Sequence, residues 1–255
     1  MSETNALPDM QRELRFYPAQ NQSPRHLTST QVEQFNDKGY VFPIRVFDDT
    51  QATANTAYFD DLSTKATAAG LNSYSINGWH NHCGGIWDLA MNDRILDLVE
   101  DLLGPDLVCT MTHYFAKMPG DQKQVSFHQD ASYWPLTPSK VVTVWLAIDH
   151  VDADNGPMTF VPASHIHGQI PFDPSKPEEQ NVLNQAVHDY TRWGDEPVAV
   201  ILKAGQVSLH TDLLLHGSEP NTSDRRRCGL TLRYHPPDVR RNDPNHASGI
   251  ICRGS

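Results

Sequence analysis

Residues 125–130 read Val-Ser-Phe-His-Gln-Asp, a short β-type run that ends in a His-x-Asp pair. Similar runs lie on both sides of it, at 107–118, 141–148, 158–161, 197–202, 207–209 and 228–234. Turn residues separate them, as in Pro119-Gly120-Asp121 and Asp154-Asn155-Gly156. Many short strands with turns between them predict a mainly β fold of the sandwich or jelly-roll type.

Helical patterns dominate the chain before residue 107. Three helices are predicted there, over 27–39, 51–70 and 92–103. Thr30 and Glu33 fit a capping box for the first of them. The stretch 71–85 has no regular pattern and predicts a long loop of the kind that often carries function.

These patterns predict one domain over residues 1–255. Its predicted parts are a helical N-terminal part with a substrate loop (27–106), a jelly-roll core (107–235) and a tail that is a loop or a lid (236–255). One further helix is predicted over 176–190, inserted into the barrel.

The composition is acidic, and the spacing of the cysteines predicts a cytoplasmic protein. The chain carries 20 basic and 31 acidic residues, a net charge of −11. Non-specific nucleic-acid binding needs a basic face, so we expect no nucleic-acid partner. No apolar run of about 18 residues predicts a membrane span, and residues 1–27 lack the features of a secretory signal. Four widely spaced cysteines predict reduced thiols.

Three residues form a candidate metal-ligand set: His128, Asp130 and His216. In a strand, residues i and i+2 point to the same side, so His128 and Asp130 would face one cavity. His216 follows an apolar run and supplies a second imidazole. Two histidines and one carboxylate suit Fe(II) and leave coordination positions open for a keto acid and oxygen.

Other histidine pairs compete with this set. His210-Thr211-Asp212 is a second His-x-Asp, but its third ligand would have to be His235 or His246. Neither has an arginine a strand's width downstream in a β-type run, so a structural role is favoured for His210 and Asp212. Turn or substrate-loop roles are favoured for the pairs His80-x-His82 and His165-x-His167.

Arg227, eleven residues after His216, could reach the same cavity from a neighbouring strand. A guanidinium binds a carboxylate in bidentate fashion. Of three consecutive arginines only Arg227 directly precedes the apolar run 228–234, and a triple arginine is usually a solvated turn. Ser218 could add a hydroxyl to the same carboxylate or be a simple turn serine.

The order of these motifs resembles the phytanoyl-CoA dioxygenase family of Fe(II)- and 2-oxoglutarate-dependent oxygenases, over about residues 27–235. The matching segments are Phe127-His128-Gln129-Asp130 with Tyr133, Asn155-Gly156-Pro157, Pro162-Ala163-Ser164-His165, and Gly205 through His216-Gly217-Ser218 with Arg227. The resemblance implies a double-stranded β-helix core with flanking N-terminal helices, in agreement with the jelly-roll prediction.

The resemblance also implies a metal and a reaction. His128, Asp130 and His216 would bind Fe(II), and O2 and 2-oxoglutarate would be co-substrates. Halogenases of this group have a small residue in place of the aspartate, so Asp130 favours hydroxylation. The implied reaction decarboxylates 2-oxoglutarate to succinate and CO2 and hydroxylates an unactivated C–H bond.

The co-substrate site is implied in the same way. Arg227, with Ser218, would hold the distal carboxylate of 2-oxoglutarate. Gln129 and Trp145 match positions that line the co-substrate site in some members. On composition alone, Trp145 could equally be a core residue.

The predicted substrate residues are Asn77, His80, Lys117, Tyr133 and Trp134, with Arg233 and the tail as further contributors. Because they are mostly polar, we expect a small polar substrate such as an aminoalkylphosphonate or another zwitterion. Two alternatives stay open. One is desaturation or cyclisation of a natural-product or acyl substrate with the same cofactors, and the other is a non-catalytic metal-binding jelly-roll protein.

Overall fold

A computed structural model describes residue 7 and residues 10–72, 76–176, 180–242 and 249–254. Its helices are α1 (Ser29–Lys38), α2 (Asp49–Ala68), α3 (Gly84–Ala90) and α4 (Asp93–Leu103). Its strands are β1 (Tyr40–Arg45), β2 (Leu107–Lys117), β3 (Val125–His128), β4 (Leu136–Thr137), β5 (Val142–Ala147), β6 (Met158–Phe160), β7 (Asp173–Pro174), β8 (Gln185–Ala186), β9 (Val198–Ala199), β10 (Gln206–Thr211), β11 (His216–Ser218), β12 (Arg227–His235), β13 (Arg240–Arg241) and β14 (Ile250–Arg253).

Two antiparallel sheets form the body of the protein. The larger has the strand order β1-β10-β5-β12-β2-β14, and the smaller has the order β3-β11-β6-β9. Strands distant in sequence are neighbours in both sheets, and side chains from both line one cavity. The predicted mainly β fold, a double-stranded β-helix with flanking N-terminal helices, is confirmed.

Strand alternation divides the larger sheet into a core face and a cavity face. On β12, Leu230 and Leu232 are fully buried in the core that also holds the apolar face of α4. Thr231 and Arg233, on the other face, line the cavity. The neighbouring strand β2 pairs with β12 in continuous register from Arg227 to Arg233, so its cavity-facing residues alternate in the same way.

Helix α1 begins earlier than its predicted cap. Thr28 is the N-cap and forms a capping box with Gln31, so the predicted box of Thr30 and Glu33 is wrong. The buried Asp101 carboxylate accepts hydrogen bonds from the three consecutive amides of residues 25–27, which fixes the chain just before the helix. The predicted C-terminal glycine is correct, because Gly39 has a φ of 84°.

The helix predicted over 176–190 is wrong for the residues that the structure describes there. Residues 180–190 form turns and the short strand β8. Their backbone amides pair with β3 instead of with each other: Val182 donates to the Gln124 carbonyl and Val187 to the Phe127 carbonyl. The segment therefore covers the edge of the small sheet beside the histidine of β3. Residues 177–179 lie outside the described residues.

Two predicted loops contain more structure than expected. In the stretch 71–85, Trp79–Asn81 forms a 3-10 turn and α3 begins at Gly84, while residues 73–75 lie outside the described residues. In the tail, β13 pairs with β4 and β14 extends the large sheet beside β2, so these two segments are not a loop. Residues 243–248 lie outside the described part.

Two findings bear on the predicted environment of the chain. All four cysteines are free thiols. No helix within the described ranges combines the length and the apolar character that a bilayer crossing requires.

Candidate functional site

Three metal-ligating side chains converge where β3 and β11 run side by side. His216 lies directly opposite His128 in the antiparallel ladder, so both imidazoles stand on the same face. Asp130 begins a 3-10 turn one residue after the extended Gln129, just beyond the end of the strand. The ligand atoms of the three residues all lie within 4.8 Å of one another, and all three side chains are buried.

Backbone carbonyls orient both imidazoles. The His128 Nδ1 lies 2.8 Å from the Ser126 carbonyl oxygen, and the His216 Nδ1 lies 2.9 Å from the Leu214 carbonyl oxygen. When Nδ1 donates to a carbonyl, the other nitrogen, Nε2, is left with a free lone pair for a metal. The His128 Nε2 is 3.7 Å from the Asp130 Oδ1, so these ligand atoms surround one point.

The electrostatics keep the ligands in the forms that a metal needs. Burial alone would raise the pKa of Asp130, but the Arg233 guanidinium and the two imidazoles outweigh it and hold that pKa well below its usual range. Burial, together with His128, lowers the pKa of His216 to about 4. The carboxylate is therefore ionised and the His216 imidazole is neutral at physiological pH.

This donor set fits Fe(II). Two imidazoles and one carboxylate on one side of a cavity form the facial triad of non-haem iron oxygenases. Among the described residues, no competing histidine pair belongs to a cluster of three donors close enough for one ion. The competing pairs are His210 with Asp212, His80 with His82, and His165 with His167.

Asp212 makes structural contacts, as predicted, but His210 does not. The buried Asp212 Oδ1 accepts hydrogen bonds from the Ser139 and Thr211 hydroxyls. The His210 ring instead lines the cavity, with its centre 5.0 Å from that of His216, and neither ring nitrogen has a hydrogen-bond partner among the described residues. The signal for this placement is the alternation of β10, where Val207 and Leu209 face the opposite side.

Asp212 makes the stability of the protein depend on pH. Burial raises the pKa of its carboxyl to about 7, against hydrogen bonds that lower it. As pH rises from about 4 to about 7, the unfolded chain ionises Asp212 before the folded protein does, so stability falls across this window. We expect Asp212→Asn to remove that fall. Across this pH window, the free energy of unfolding of the variant should rise relative to that of wild type by up to about 4 kcal/mol.

Urea unfolding of the metal-free protein at pH 5 and pH 8 measures this effect. Asp224→Asn is the control because the Asp224 side chain is 93% exposed. An Asp212→Asn variant whose stability shows the same pH dependence as wild type would contradict the assignment.

The cavity beside the triad has a volume of about 340 Å³. The large sheet forms one wall, and β3, β6 and β11 contribute to the other. Eight further residues predicted for cofactor or substrate line it: Asn77, Lys117, Tyr133, Trp134, Trp145, Ser218, Arg227 and Arg233. A cavity of this size is at the small end of the range for ligand pockets.

Arg227 stands at one end of the cavity and is 3% exposed. Its Nε donates to the Gly156 carbonyl at 3.1 Å, which aims the guanidinium inward. Arg225 turns outward to Asp152 and Arg226 forms an ion pair with Asp149, so the structure separates the three consecutive arginines.

Lys117 faces Arg227 across the ladder between β2 and β12. Its Nζ donates to the carbonyls of Ser218 and Glu219. Burial, with the neighbouring Arg227 charge, lowers the pKa of Lys117 to about 7. Two cations opposite each other repel, so this end of the cavity favours an anion. The structure thus places Lys117 at the end of the cavity where the co-substrate was predicted.

Trp145 forms part of the cavity wall because Gly229 has no side chain. A Cβ atom at Gly229 would lie 2.0 Å from the Trp145 Cζ2. The indole therefore lies directly against β12, with its ring centre 5.8 Å from the Arg227 guanidinium carbon.

Two predicted site residues lie elsewhere. Gln129 points away from the cavity, where its amide donates to the Gly168 and Leu213 carbonyls and accepts from the Ile170 amide. The reason is strand alternation, because both of its neighbours in sequence face the cavity. The His80 Nδ1 lies 3.1 Å from the Thr112 Oγ1, on the core face of β2 rather than its cavity face. Neither residue lines the cavity.

Comparison with known proteins agrees with this geometry. The chain is 30% identical over 146 residues to the peroxisomal phytanoyl-CoA dioxygenase of Bos taurus. The aligned region covers 55% of this chain and 43% of that protein. It is 28% identical over 163 residues to a probable alpha-ketoglutarate-dependent hypophosphite dioxygenase of Stutzerimonas stutzeri, covering 63% of this chain and 56% of that protein. The chain thus spans about half the length of the curated relatives it matches.

A solved structure shares the architecture over most of the chain. The non-heme monooxygenase ThoJ superposes with a TM-score of 0.75 at 27% identity, covering 88% of this chain and 83% of ThoJ. The family model for phytanoyl-CoA dioxygenase matches residues 25–229, about four fifths of the chain. As its motifs predict, the chain belongs to the phytanoyl-CoA dioxygenase family.

Proposed function

We propose that the protein is an Fe(II)- and 2-oxoglutarate-dependent dioxygenase that hydroxylates an unactivated C–H bond of a small polar molecule. The observation that carries this proposal is the convergence of buried His128, Asp130 and His216 on one cavity with a buried Arg227 at its end. In the proposed reaction, one atom of O2 enters succinate and the other enters the substrate as a hydroxyl group, with release of CO2.

The chain supplies binding and orientation for this reaction. His128, Asp130 and His216 would hold the iron, which when bound supplies open coordination positions and redox chemistry for O2. Arg227 binds the distal carboxylate of 2-oxoglutarate through its planar fork, and Ser218 donates a hydroxyl beside it. Asp130 supplies a third protein ligand, which favours hydroxylation over halogenation.

The dimensions and polarity of the cavity support a small substrate. About 340 Å³ must accommodate both 2-oxoglutarate and the substrate. Polar side chains such as Asn77, Thr143 and Thr231 line it beside the triad. Similarity to a probable hypophosphite dioxygenase makes phosphorus oxyanions reasonable candidates. Aminoalkylphosphonates and other zwitterions are therefore the first substrates to screen.

An anaerobic titration tests the proposal directly. Fe(II) and then 2-oxoglutarate are added to the protein, and we expect a saturable visible charge-transfer band because a chelating keto acid needs the open positions of a three-ligand site. Succinate release is then screened across phosphonates and amino acids, with mass spectrometry of the product to separate a gain of one oxygen from a loss of two hydrogens. Iron binding without the band would favour a metal-binding protein that does not use a keto acid.

Lys117 should couple 2-oxoglutarate binding to proton uptake. Its pKa of about 7 leaves it mostly neutral at pH 8, and a bound dianion favours its charged form. We therefore expect the Mn(II)-loaded protein to take up protons on binding 2-oxoglutarate at pH 8, and the affinity to fall as pH rises above 7. Calorimetry in buffers of different ionisation enthalpy measures the uptake, and equal uptake by Lys117→Met would rule out this lysine as its source.

A further inference from the structure

Arg233 is a second buried arginine in the cavity. It is 7% exposed and lies on β12, six residues after Arg227 and on the same face. Its Nε is 3.9 Å from the Asp130 Oδ2 and has no hydrogen-bond partner among the described residues. Its guanidinium carbon lies 5.0 Å from the centre of the Trp134 ring. Its contacts in the cavity are thus a long ion pair with Asp130 and a cation-π contact with Trp134.

A buried guanidinium without a close acceptor is costly. Arginine has five N–H donors and stays protonated in proteins, and burying its charge is costly unless anions and hydrogen-bond acceptors surround it. Asp130 is the nearest carboxylate, but it is also a metal ligand, and a bound metal takes up much of its negative charge. A metal-loaded site thus leaves Arg233 in need of another anion.

The charges along the cavity lead to the same conclusion. Its described lining contains three basic side chains, Lys117, Arg227 and Arg233, but only one acidic side chain, Asp130. A divalent metal would add two positive charges, and the two carboxylates of 2-oxoglutarate would offset one charge at the metal and one at Arg227. Net positive charge remains near Arg233.

Arg233 is also part of a polar row across the large sheet. Thr143 of β5 lies opposite Arg233 of β12, and His210 of β10 lies opposite Thr143. All three side chains line the cavity beside the metal ligands. Six residues of extended strand separate the two arginines by about 20 Å, so one ligand cannot be expected to engage both at short range.

We propose that Arg233, stacked on Trp134, anchors an anionic group of the substrate, a carboxylate or a phosphonate-type oxyanion, at the end of the cavity away from Arg227. This inference rests on the proposed function, because it assigns the Arg227 end to 2-oxoglutarate. It narrows the substrate class from small polar molecules to small molecules that carry a carboxylate or a phosphonate-type oxyanion. Trp134 and the row of Thr143 and His210 then contact the remainder of the substrate.

The test measures binding and needs no turnover. Protein is loaded with Mn(II), saturated with 2-oxoglutarate, and titrated with methylphosphonate or with acetate. Paramagnetic broadening of the 31P signal, or of the acetate methyl signal, reports binding near the metal. We expect saturable binding, at least tenfold weaker in Arg233→Met and unchanged in Arg225→Met, whose arginine pairs with Asp152 at the surface. The tighter of the two probes identifies the kind of oxyanion.

The outcomes separate this inference from the proposed function. Wild-type protein that fails to bind Mn(II) or 2-oxoglutarate would overturn the proposed function, and the inference with it. Normal metal and 2-oxoglutarate binding with equal probe affinity in wild type and Arg233→Met would overturn the anion site alone. Loss of Mn(II) binding in Arg233→Met would also overturn it, since Arg233 would then serve to position Asp130.

A second variant covers the case in which Arg233→Met does not fold. Arg233→Lys keeps the charge but loses the planar fork and its stacking. We expect it to bind Mn(II) and 2-oxoglutarate normally and methylphosphonate at least threefold more weakly. Unchanged affinity for both probes in this variant would count against a guanidinium anchor.

Discussion

The His216→Ala variant is expected to lose more than about 100-fold of its succinate formation while keeping the wild-type fold. Changing a residue that only orients a metal ligand already costs about 10- to 100-fold, and His216 is proposed as a ligand itself. Its ring stands opposite His128 with the ring centres 4.2 Å apart, and an alanine at this position would leave the metal with two of its three proposed protein ligands. Succinate release with Fe(II) and 2-oxoglutarate measures the loss.

Two controls give this result its meaning. Circular dichroism and urea unfolding should show the native fold, because the ladder contacts of β11 are made by backbone atoms. His188→Ala removes an exposed histidine and should leave turnover unchanged. Near-normal turnover by His216→Ala would show that the ligand assignment is wrong.

Arg227→Ala is expected to raise the KM for 2-oxoglutarate by about 30-fold or more. Removing one partner of a buried charge pair costs about 2 kcal/mol at least, and each 1.4 kcal/mol is about tenfold in affinity. The guanidinium is buried and aimed by the Gly156 carbonyl, whereas Lys117 opposite it is only partly charged at pH 7. Steady-state kinetics with varied 2-oxoglutarate measure the change.

Arg225→Ala is the matched control for this experiment. It removes an arginine two residues away that pairs with Asp152 outside the cavity. We expect its KM for 2-oxoglutarate to stay within about twofold of wild type, as is usual for surface ion pairs. Equal increases in both variants would show that Arg227 is not the residue that selects the carboxylate.

The parts of the site that follow from strand periodicity could be predicted from the sequence. A period of two places His128 and Asp130 on one side, and the structure shows this even though Asp130 lies just past the end of β3. The same period turns Gln129, between two cavity-facing neighbours, away from the cavity, and its assignment to the co-substrate site came from the family resemblance alone. Periodicity within one segment is local information, and it is reliable where the chain stays extended.

The errors arose where the position of a residue depends on a partner distant in sequence. His80 faces the core because of the face of β2 on which it packs, and nothing near residue 80 reveals that face. The stretch 180–190 contributes backbone hydrogen bonds to β3, and this pairing overrides any helical tendency. His210 lines the cavity because β10 lies beside β5, a neighbour more than 60 residues earlier in the chain.

If Arg233 anchors the substrate as proposed, its position on strand β12 sets the distance between that anchor and the Arg227 end of the cavity. Because alternate residues of this strand face the core, a cation can face the cavity only at every second position, and each such step moves it by about 6.6 Å. Substrate length in such a protein would therefore change in discrete steps when an arginine is exchanged between positions 229, 231 and 233. To fit a longer or shorter substrate, an arginine could be introduced at any of these three positions. At position 229 it would also have to displace the Trp145 indole, which lies against Gly229.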